Sequence, residues 1–508
     1  MSRAGLADAA TLVQEALELY ADDRVAVAAL ERHARRLREP LRLAVAGMVK
    51  AGKSTVLNAL IGEQIAPTDA GECTKIVTWY RYSVSARITA HLKSGGETRL
   101  PVKRTDGALV IELGALTADQ VEWIEVAWPS ESLRSLVIID TPGIASLSQD
   151  VSARSHAFLA PDDAPSDADA ILYLLRHIHA SDIGFLEAFR DNAAGSSQTV
   201  NAVALLSRAD EIGSGRIDSL LSAARVADRY RRDGELRALA LGCIPVAGLL
   251  AEGARALRES EFAAFRELAG LDRATRDRML VSVDRFTRPS TATTLSVEER
   301  KRLLARFGIF GVRLGSALVR AGASSSTDLA QRLVQQSGLL EVQQFIVEQF
   351  RARASVLKTR AVLAGLEDLL RDKPRDGSDD VRAGLERLVA TNHELRELVL
   401  LSEFRTTIPR LASADAAEAE RIIGGSGTAV AARLGLTDSA RTDEVREALA
   451  SSLAKWRTLS ESPLSDRATV EICRVVIRSL EGIASQVGAA APGADRSTAD
   501  VVAAGSPA

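Results

Sequence analysis

Cysteine is scarce in this sequence: Cys73, Cys243 and Cys473 are the only three, far apart and in no arrangement with the six histidines that has metal-ligand spacing. That excludes a disulfide framework and a Cys/His zinc site, and it fits a reducing compartment. Surplus charge is also lacking, since 64 Lys and Arg face 67 Asp and Glu for a formal net charge of -3. A protein that tracks nucleic-acid phosphates normally carries a clustered basic excess, so no nucleic-acid partner is expected. Long apolar runs are missing too. The longest, near 236–257, is interrupted by Gly242, Pro245, Gly248, Glu252 and Gly253, too broken for a spanning helix. The first residues carry Asp8, Glu15 and Glu18 instead of the basic-then-apolar order of a signal peptide. The expectation is a cytoplasmic protein whose membrane contact, if any, is peripheral. What is present is a globular composition, 46% apolar and 26% charged, in 508 residues. That length calls for two domains, or for one with a large helical appendage.

Texture changes twice along the chain. From 7 to 37, Leu12, Ala16, Leu19, Val25, Ala29 and Leu30 fall near helical spacing before Pro40, which reads as one or two amphipathic helices. From 41 to about 285, short β-rich runs alternate with helical and loop segments, at 41–46, 76–82, 87–92, 121–126, 136–139, 170–175, 200–206 and 238–246. Such alternation implies a doubly wound, mostly parallel α/β sheet. After Pro289 the strand signal stops. Ser296 and Glu299 have capping-box spacing, and Leu339, Val342, Ile346 and Phe350 form a helical stripe. Helices are expected at 381–403, at 413–433 with a break at Gly424 to Gly427, at 442–459 and at 467–486, after a turn at 373–380. Residues 488–508 show no periodicity and read as a disordered tail. The expected division is therefore an N-terminal helical segment 1–38, an α/β domain 39–285, a helical bundle 286–487 and a tail.

Residues 47–54, Gly-Met-Val-Lys-Ala-Gly-Lys-Ser, fit G-x-x-x-x-G-K-[ST] between an apolar strand and a helix. Glycines let the backbone wrap phosphates, and the amides at the helix start point at them. Gly47, Val49, Lys50, Ala51, Gly52, Lys53, Ser54 and Thr55 are the candidate phosphate-side residues. Lys53 would reach the β and γ oxygens, and the Ser54 hydroxyl would ligate Mg²⁺. Asp140-Thr141-Pro142-Gly143 follows a buried strand, so Asp140 can hold a Mg²⁺-bound water and the Gly143 amide can meet a γ-phosphate. Ser207-Arg208-Ala209-Asp210 follows another. The Asp210 carboxylate can accept from guanine N1 and N2, which adenine cannot match, while the Arg208 stem covers the base. Ser207 and Arg208 depart from the usual Asn or Thr followed by Lys. Ala247, after a strand ending at 245, is placed to offer its amide to the base. A switch threonine is required between Ser54 and Asp140. Thr68, Thr74 and Thr78 compete, and Thr74 is favoured because it precedes a strand where its hydroxyl can reach the metal and its carbonyl a water.

These motifs resemble the bacterial branch of the dynamin superfamily, specifically its isoniazid-inducible IniC type. The resemblance is carried by 46–54, 65–70, 73–79, 139–143 and 207–218, and continues through 421–427. It implies a P-loop GTPase head, an all-helical neck and trunk in which an N-terminal helix packs against helices after the head, Mg²⁺-dependent GTP hydrolysis, and GTP-dependent dimerisation. It also implies work at the inner face of the cell membrane and a possible sibling dynamin-like partner. Dynamins carry a Gln-Ser pair in the phosphate loop, whose Ser helps hold a monovalent cation. Val49-Lys50 stands there instead, so either the Lys50 ammonium supplies that charge or it points to solvent. The run 307–319 is read as buried packing ahead of a membrane tip, His177 and His179 near Asp182 as a strand end ahead of a metal site, and Arg225 to Arg237 as a solvated face ahead of a lipid contact. A nucleotide-gated scaffold with weak hydrolysis uses the same motifs. An ATPase is disfavoured, because no catalytic glutamate adjoins Asp140-Thr141.

Overall fold

The computed structural model describes residues 2–67, 75–105, 107–143, 167–193, 201–213, 215–232, 235–406 and 411–489. Two N-terminal helices, α1 (Ser2–Leu19) and α2 (Arg24–Arg38), form where the apolar spacing predicts them. Asp23 starts the second by accepting from the Val25 and Ala26 amides at 3.0 and 3.1 Å. Pro40 ends the helical stretch, and β1 (Leu41–Gly47) follows with every residue buried, as a central strand covered on both faces must be.

Around β1 lies a nine-stranded sheet of β2 (Val77–Tyr82), β3 (Arg87–Leu92), β4 (Glu97–Leu100), β7 (Val121–Trp128), β8 (Leu136–Asp140), β9 (Ala170–Leu175), β10 (Ala202–Ser207) and β11 (Cys243–Val246). Its order is β11-β10-β9-β1-β8-β2-β7-β3-β4, and a separate hairpin pairs β5 (Lys103–Thr105) with β6 (Ala108–Val110). From β11 to β8 all pairings are parallel. β8–β2, β7–β3 and β3–β4 are antiparallel, so the far half is mixed. For the β3–β4 pair the cause is local: the strands are joined through Gly95 and Gly96, both at positive φ, and so short a turn can only reverse the chain.

Three corrections to the expected elements follow. β4 and β5 are short strands bearing Glu97, Arg99, Lys103 and Arg104, and β6 is only three residues long, so the apolar pattern misses all three. Leu236–Leu239 is helical and only Cys243–Val246 is strand, because Leu236, Leu239 and Ala240 are buried at helical spacing. The expected helix 381–403 is two, Asp379–Thr391 and His393–Thr406.

Contacts divide the chain into two compact units, Met1–Leu395 and Arg396–Ala508. The first therefore holds the sheet together with helices on both sides of it in sequence. Ser296 and Glu299 form the capping box that opens the helix Val297–Arg320. Phe307, Phe310 and Val312 on that helix are buried against Phe262, Phe265 and Leu250, which favours packing over a membrane tip. The helix is broken at Gly308, where φ is 64° and ψ is 173°. Leu339, Val342, Ile346 and Phe350 are buried as the stripe predicts.

α1 and α2 pack on the helices Ala354–Asp372 and Asp379–Thr391. Leu12 and His33 lie against Gly384 and Gly365, where a Cβ would collide. Tyr20 donates its hydroxyl to Lys373 O at 2.6 Å. The second unit is helical in its described residues, with Trp456, Cys473, Val476 and Leu480 buried. Its Gly424-Gly425 break is a helix end: Gly424 has φ 93°, and the Gly425 amide donates to Glu420 O at 2.7 Å.

Candidate functional site

β1 and α3 (Lys53–Ile61) meet at the glycine-rich turn, and Gly52 caps the helix at φ 93° with no side chain to occupy its amides. Helix starts leave backbone N–H groups without intrahelical partners, so this one is open to an anion. The loop's own groups are paired inward. Lys53 Nζ donates to Gly47 O at 3.1 Å and Met48 O at 3.3 Å, and the Ala51 amide donates to Met48 O at 3.2 Å. Burial lowers the Lys53 pKa, and neighbouring Asp140 opposes that shift.

Parallel pairing of β1 with β8 brings Asp140 to the same edge. Ser54 Oγ donates to Asp140 Oδ2 at 3.1 Å, while the buried Asp140 Oδ1 has no hydrogen-bond partner. Burial pushes the Asp140 carboxyl up to about 6, against the pull of Lys53 and the Ser54 hydroxyl. An unpartnered carboxylate oxygen beside a hydroxyl is a hard-oxygen set that fits Mg²⁺. Gly143 sits directly on Val49, whose Cα would be 3.0 Å from a Cβ placed there, so only glycine lets this loop touch the phosphate loop.

The remaining strand end supplies the far wall. Arg208, at φ 53°, donates to Lys50 O at 3.1 Å and pairs with Glu211 at 2.9 Å. Asp210 is 9% exposed, and burial raises its pKa first, with Glu211 adding and Arg208 opposing. A cleft of about 170 Å³ runs between Ala51, Gly52 and Thr55 on one side, Ser207, Arg208 and Asp210 on another, and Gly248 and Leu249 on a third.

Gly47, Val49, Lys50, Ala51, Gly52, Lys53, Ser54, Thr55, Asp140, Gly143, Arg208 and Asp210 thus gather at one sheet edge. Ala247 does not: it is fully buried, and its amide donates to Ser337 O at 2.9 Å. Gly248 and Leu249, the next two residues, line the cleft in its place. Thr74 and its rival Thr68 lie outside the described residues, whereas Thr78 is buried within β2. Lys50 is exposed, and its ammonium has no partner among the described residues.

Two supports escaped the sequence reading. Asn58 on α3 accepts from the Ile65 and Ala66 amides at 3.0 and 2.7 Å and donates to Glu252 at 2.9 Å, tying the chain that leaves α3 to the helix Gly248–Arg255. Glu211 stands three residues beyond Arg208, and that spacing was the available signal. His177 and His179 belong to the turn after β9, where Asp182 accepts from the His179 amide at 3.0 Å and the Tyr173 hydroxyl at 2.7 Å. Among the described residues no cluster of His, Cys, Asp and Glu could hold a metal by itself, and no helix is long and apolar enough to cross a membrane.

Comparison with known proteins identifies the family. The Dynamin family model matches residues 43–186. The isoniazid-induced protein IniC of Mycobacterium tuberculosis is 40% identical over 460 residues, spanning 91% of this chain and 93% of that protein. A bacterial dynamin-like protein of Nostoc punctiforme is 27% identical over 170 residues, 31% of this chain and 24% of that protein. A solved structure of an oligomerised bacterial dynamin pair covers 96% of this chain and 74% of its own at 14% identity, with a TM-score of 0.30, too low to superimpose one fold on the other. The long match to IniC decides the matter: this chain belongs to the bacterial dynamin-like proteins of the IniC type and is a dynamin-like GTPase.

Proposed function

We propose that the cleft binds GTP with Mg²⁺ and hydrolyses it, and that the nucleotide state controls self-association at a membrane surface. The observation that carries this reading is Asp140, a buried carboxylate with one oxygen on Ser54 and the other unpartnered, at the phosphate end of a cleft whose far end is Asp210.

Free amides at the start of α3 hold the phosphates. Lys53 exchanges the carbonyls of Gly47 and Met48 for β and γ oxygens. Ser54 and Asp140 are the metal-holding residues, with Thr74 joining them from outside the described residues and orienting the attacking water. Bound Mg²⁺ supplies positive charge against the developing negative charge on the phosphate oxygens. The Gly143 amide senses the γ-phosphate, and since Gly143 rests on Val49, its loss frees the loop from the phosphate-binding turn. Asp210 accepts from guanine N1 and N2, and Arg208 covers the base while anchored on Lys50 O. Lys50 supplies further charge near the phosphates. Dimerisation, membrane remodelling and a peripheral place at the inner face of the membrane are proposed from family membership.

A fluorescent GTP analogue titrated with Mg²⁺ tests the site, and absence of measurable affinity ends the reading. Turnover per molecule measured across protein concentrations tests self-association: a dimerising enzyme accelerates, while a nucleotide-gated scaffold stays slow throughout. Sedimentation with liposomes, with and without a GTP analogue, tests the membrane contact.

A further inference from the structure

Gly308 interrupts the helix Val297–Arg320 with φ 64° and ψ 173°, a backbone region open to essentially glycine alone. A side chain built at this position would approach Leu249 Cδ2 at 3.7 Å and Asp210 Oδ2 at 3.9 Å. Both of those residues wall the base end of the cleft. The break therefore lies directly behind the carboxylate that selects the base.

The two halves of the helix share the Phe262 and Phe265 cluster but carry different polar anchors. Before the break, Arg306 pairs with Glu261 at 2.5 Å, and Phe307, fully buried, packs edge-on against Phe265 with ring centroids 5.2 Å apart. After it, Ile309 Cγ2 is 3.8 Å from where a Gly215 Cβ would stand, and Arg313 donates to Gly215 O, to Leu280 O at 2.7 Å and to Val281 O at 2.8 Å. The second half thus grips Gly215, on the loop after Asp210, while the ion pair of the first half is made to Glu261. A continuous helix advances each residue by a fixed turn and rise, and Gly308 departs from that geometry between the two sets of polar anchors. The irregular glycine sets the offset between them.

We infer that Gly308 is a positioning residue for guanine selection, its glycine-only backbone letting the helix bend around Asp210 and hold that carboxylate at the depth where guanine N1 and N2 reach it. The inference rests on the reading of the cleft as a GTP site.

The test compares the full chain with its Gly308→Ala variant in Mg²⁺, displacing a fluorescent GTP analogue with GTP and with ITP, which lacks the 2-amino group. Melting followed by circular dichroism checks that the variant is folded. GTP affinity is expected to fall about tenfold or more, as for loss of a charge-assisted hydrogen bond. ITP affinity falls less, so the GTP:ITP preference narrows. With Asp210→Asn already in place, Gly308→Ala should leave that ratio where it was. A merely structural glycine would lower both affinities together and preserve the ratio, and a folded variant that does so overturns the inference. Should Gly308→Ala not fold, Ile309→Ala carries the same test with the glycine kept: about a threefold narrowing is expected, and an unchanged ratio overturns it. A parent chain with no affinity for GTP sinks the nucleotide-site reading instead, before Gly308 is touched.

Discussion

Two buried carboxylates flank β1 at opposite ends of the sheet, and the protein treats them differently. At the end where β9 begins, Asp169 is 2% exposed and fully matched: Arg36 reaches it at 2.7 Å, the Arg42 amide donates at 2.8 Å, and no demand is left over. Around it Arg42 and Arg81 both pair with Glu39 at 2.9 Å, and Lys358 donates to Glu39 O, so α2, β1, β2 and the helix Ala354–Asp372 meet there. At the end where β8 stops, Asp140 receives one hydroxyl and keeps a buried oxygen unpartnered. A buried charge with every partner present is a fastener. One left half-matched stores a binding demand, and unsatisfied buried groups mark functional sites for that reason.

The comparison breaks most visibly at Lys53. Its ammonium holds only two carbonyls of its own loop, so Lys53→Ala should leave the melting temperature near that of the parent. GTP turnover should fall by about a thousandfold, because a charge placed on the transferring phosphoryl group is lost. Parent-like hydrolysis by a folded Lys53→Ala protein would remove Lys53 from the site.

Arg36→Ala asks the opposite question at the fastened end. Removing it leaves Asp169 buried without its counter-ion, which costs about 3–5 kcal/mol of stability. Denaturant unfolding should show that loss, while the folded fraction binds GTP as the parent does. An unchanged midpoint would mean that Asp169 is satisfied without Arg36, and the contrast between the two carboxylates would fall.

His33, one turn before Arg36 on α2, sharpens the same contrast through pH. Burial pushes its pKa down to about 4 from an ordinary 6.5, with Arg36, Arg32 and Arg42 adding to the shift. Because the folded value lies below the unfolded one, the unfolded chain takes up the proton first. The stability contribution is intact above pH 6.5 and declines as pH falls towards 4, by up to about 3 kcal/mol. Melting curves between pH 7.5 and 4.5 should show a steeper loss in the parent than in His33→Gln. Parallel curves would show that the imidazole stays neutral or is equally protonated in both states.

These ends were unequally legible in the sequence. The phosphate end was readable because its parts are local: Gly47 to Ser54, Asp140 to Gly143 and Arg208 to Asp210 each follow a strand whose apolar run fixes where the loop begins. The fastened end was not, because Arg36 and Asp169 are 133 positions apart and no periodicity links them. Ala247 was misassigned for a similar reason. Its amide is claimed by Ser337 O, a carbonyl from another helix end, and that shifts the cleft lining to Gly248 and Leu249. The Gly308 break was not read from the sequence, since only the packing of Asp210 and Leu249 beside it shows why the chain bends. The strands β4, β5 and β6 are too short, at three or four residues, to show an alternating pattern, and the favoured Thr74 falls outside the described residues.

Lys50 is where the phosphate end can be tested most finely. Its backbone sits at φ 63°, its carbonyl accepts from Arg208 at 3.1 Å, and its exposed ammonium has no partner among the described residues. Lys50→Ala retains the Cβ, and with it the same backbone strain, and leaves the Arg208 anchor in place, so the change isolates the ammonium. If that charge replaces a monovalent cation beside the transferring phosphate, turnover drops about tenfold, or 1.4 kcal/mol of barrier, while GTP affinity changes little. Added K⁺ then restores part of the rate in the variant and none in the parent. Hydrolysis that is unchanged and indifferent to K⁺ would instead place the ammonium in solvent and leave the phosphate end relying on Lys53 and the α3 amides alone.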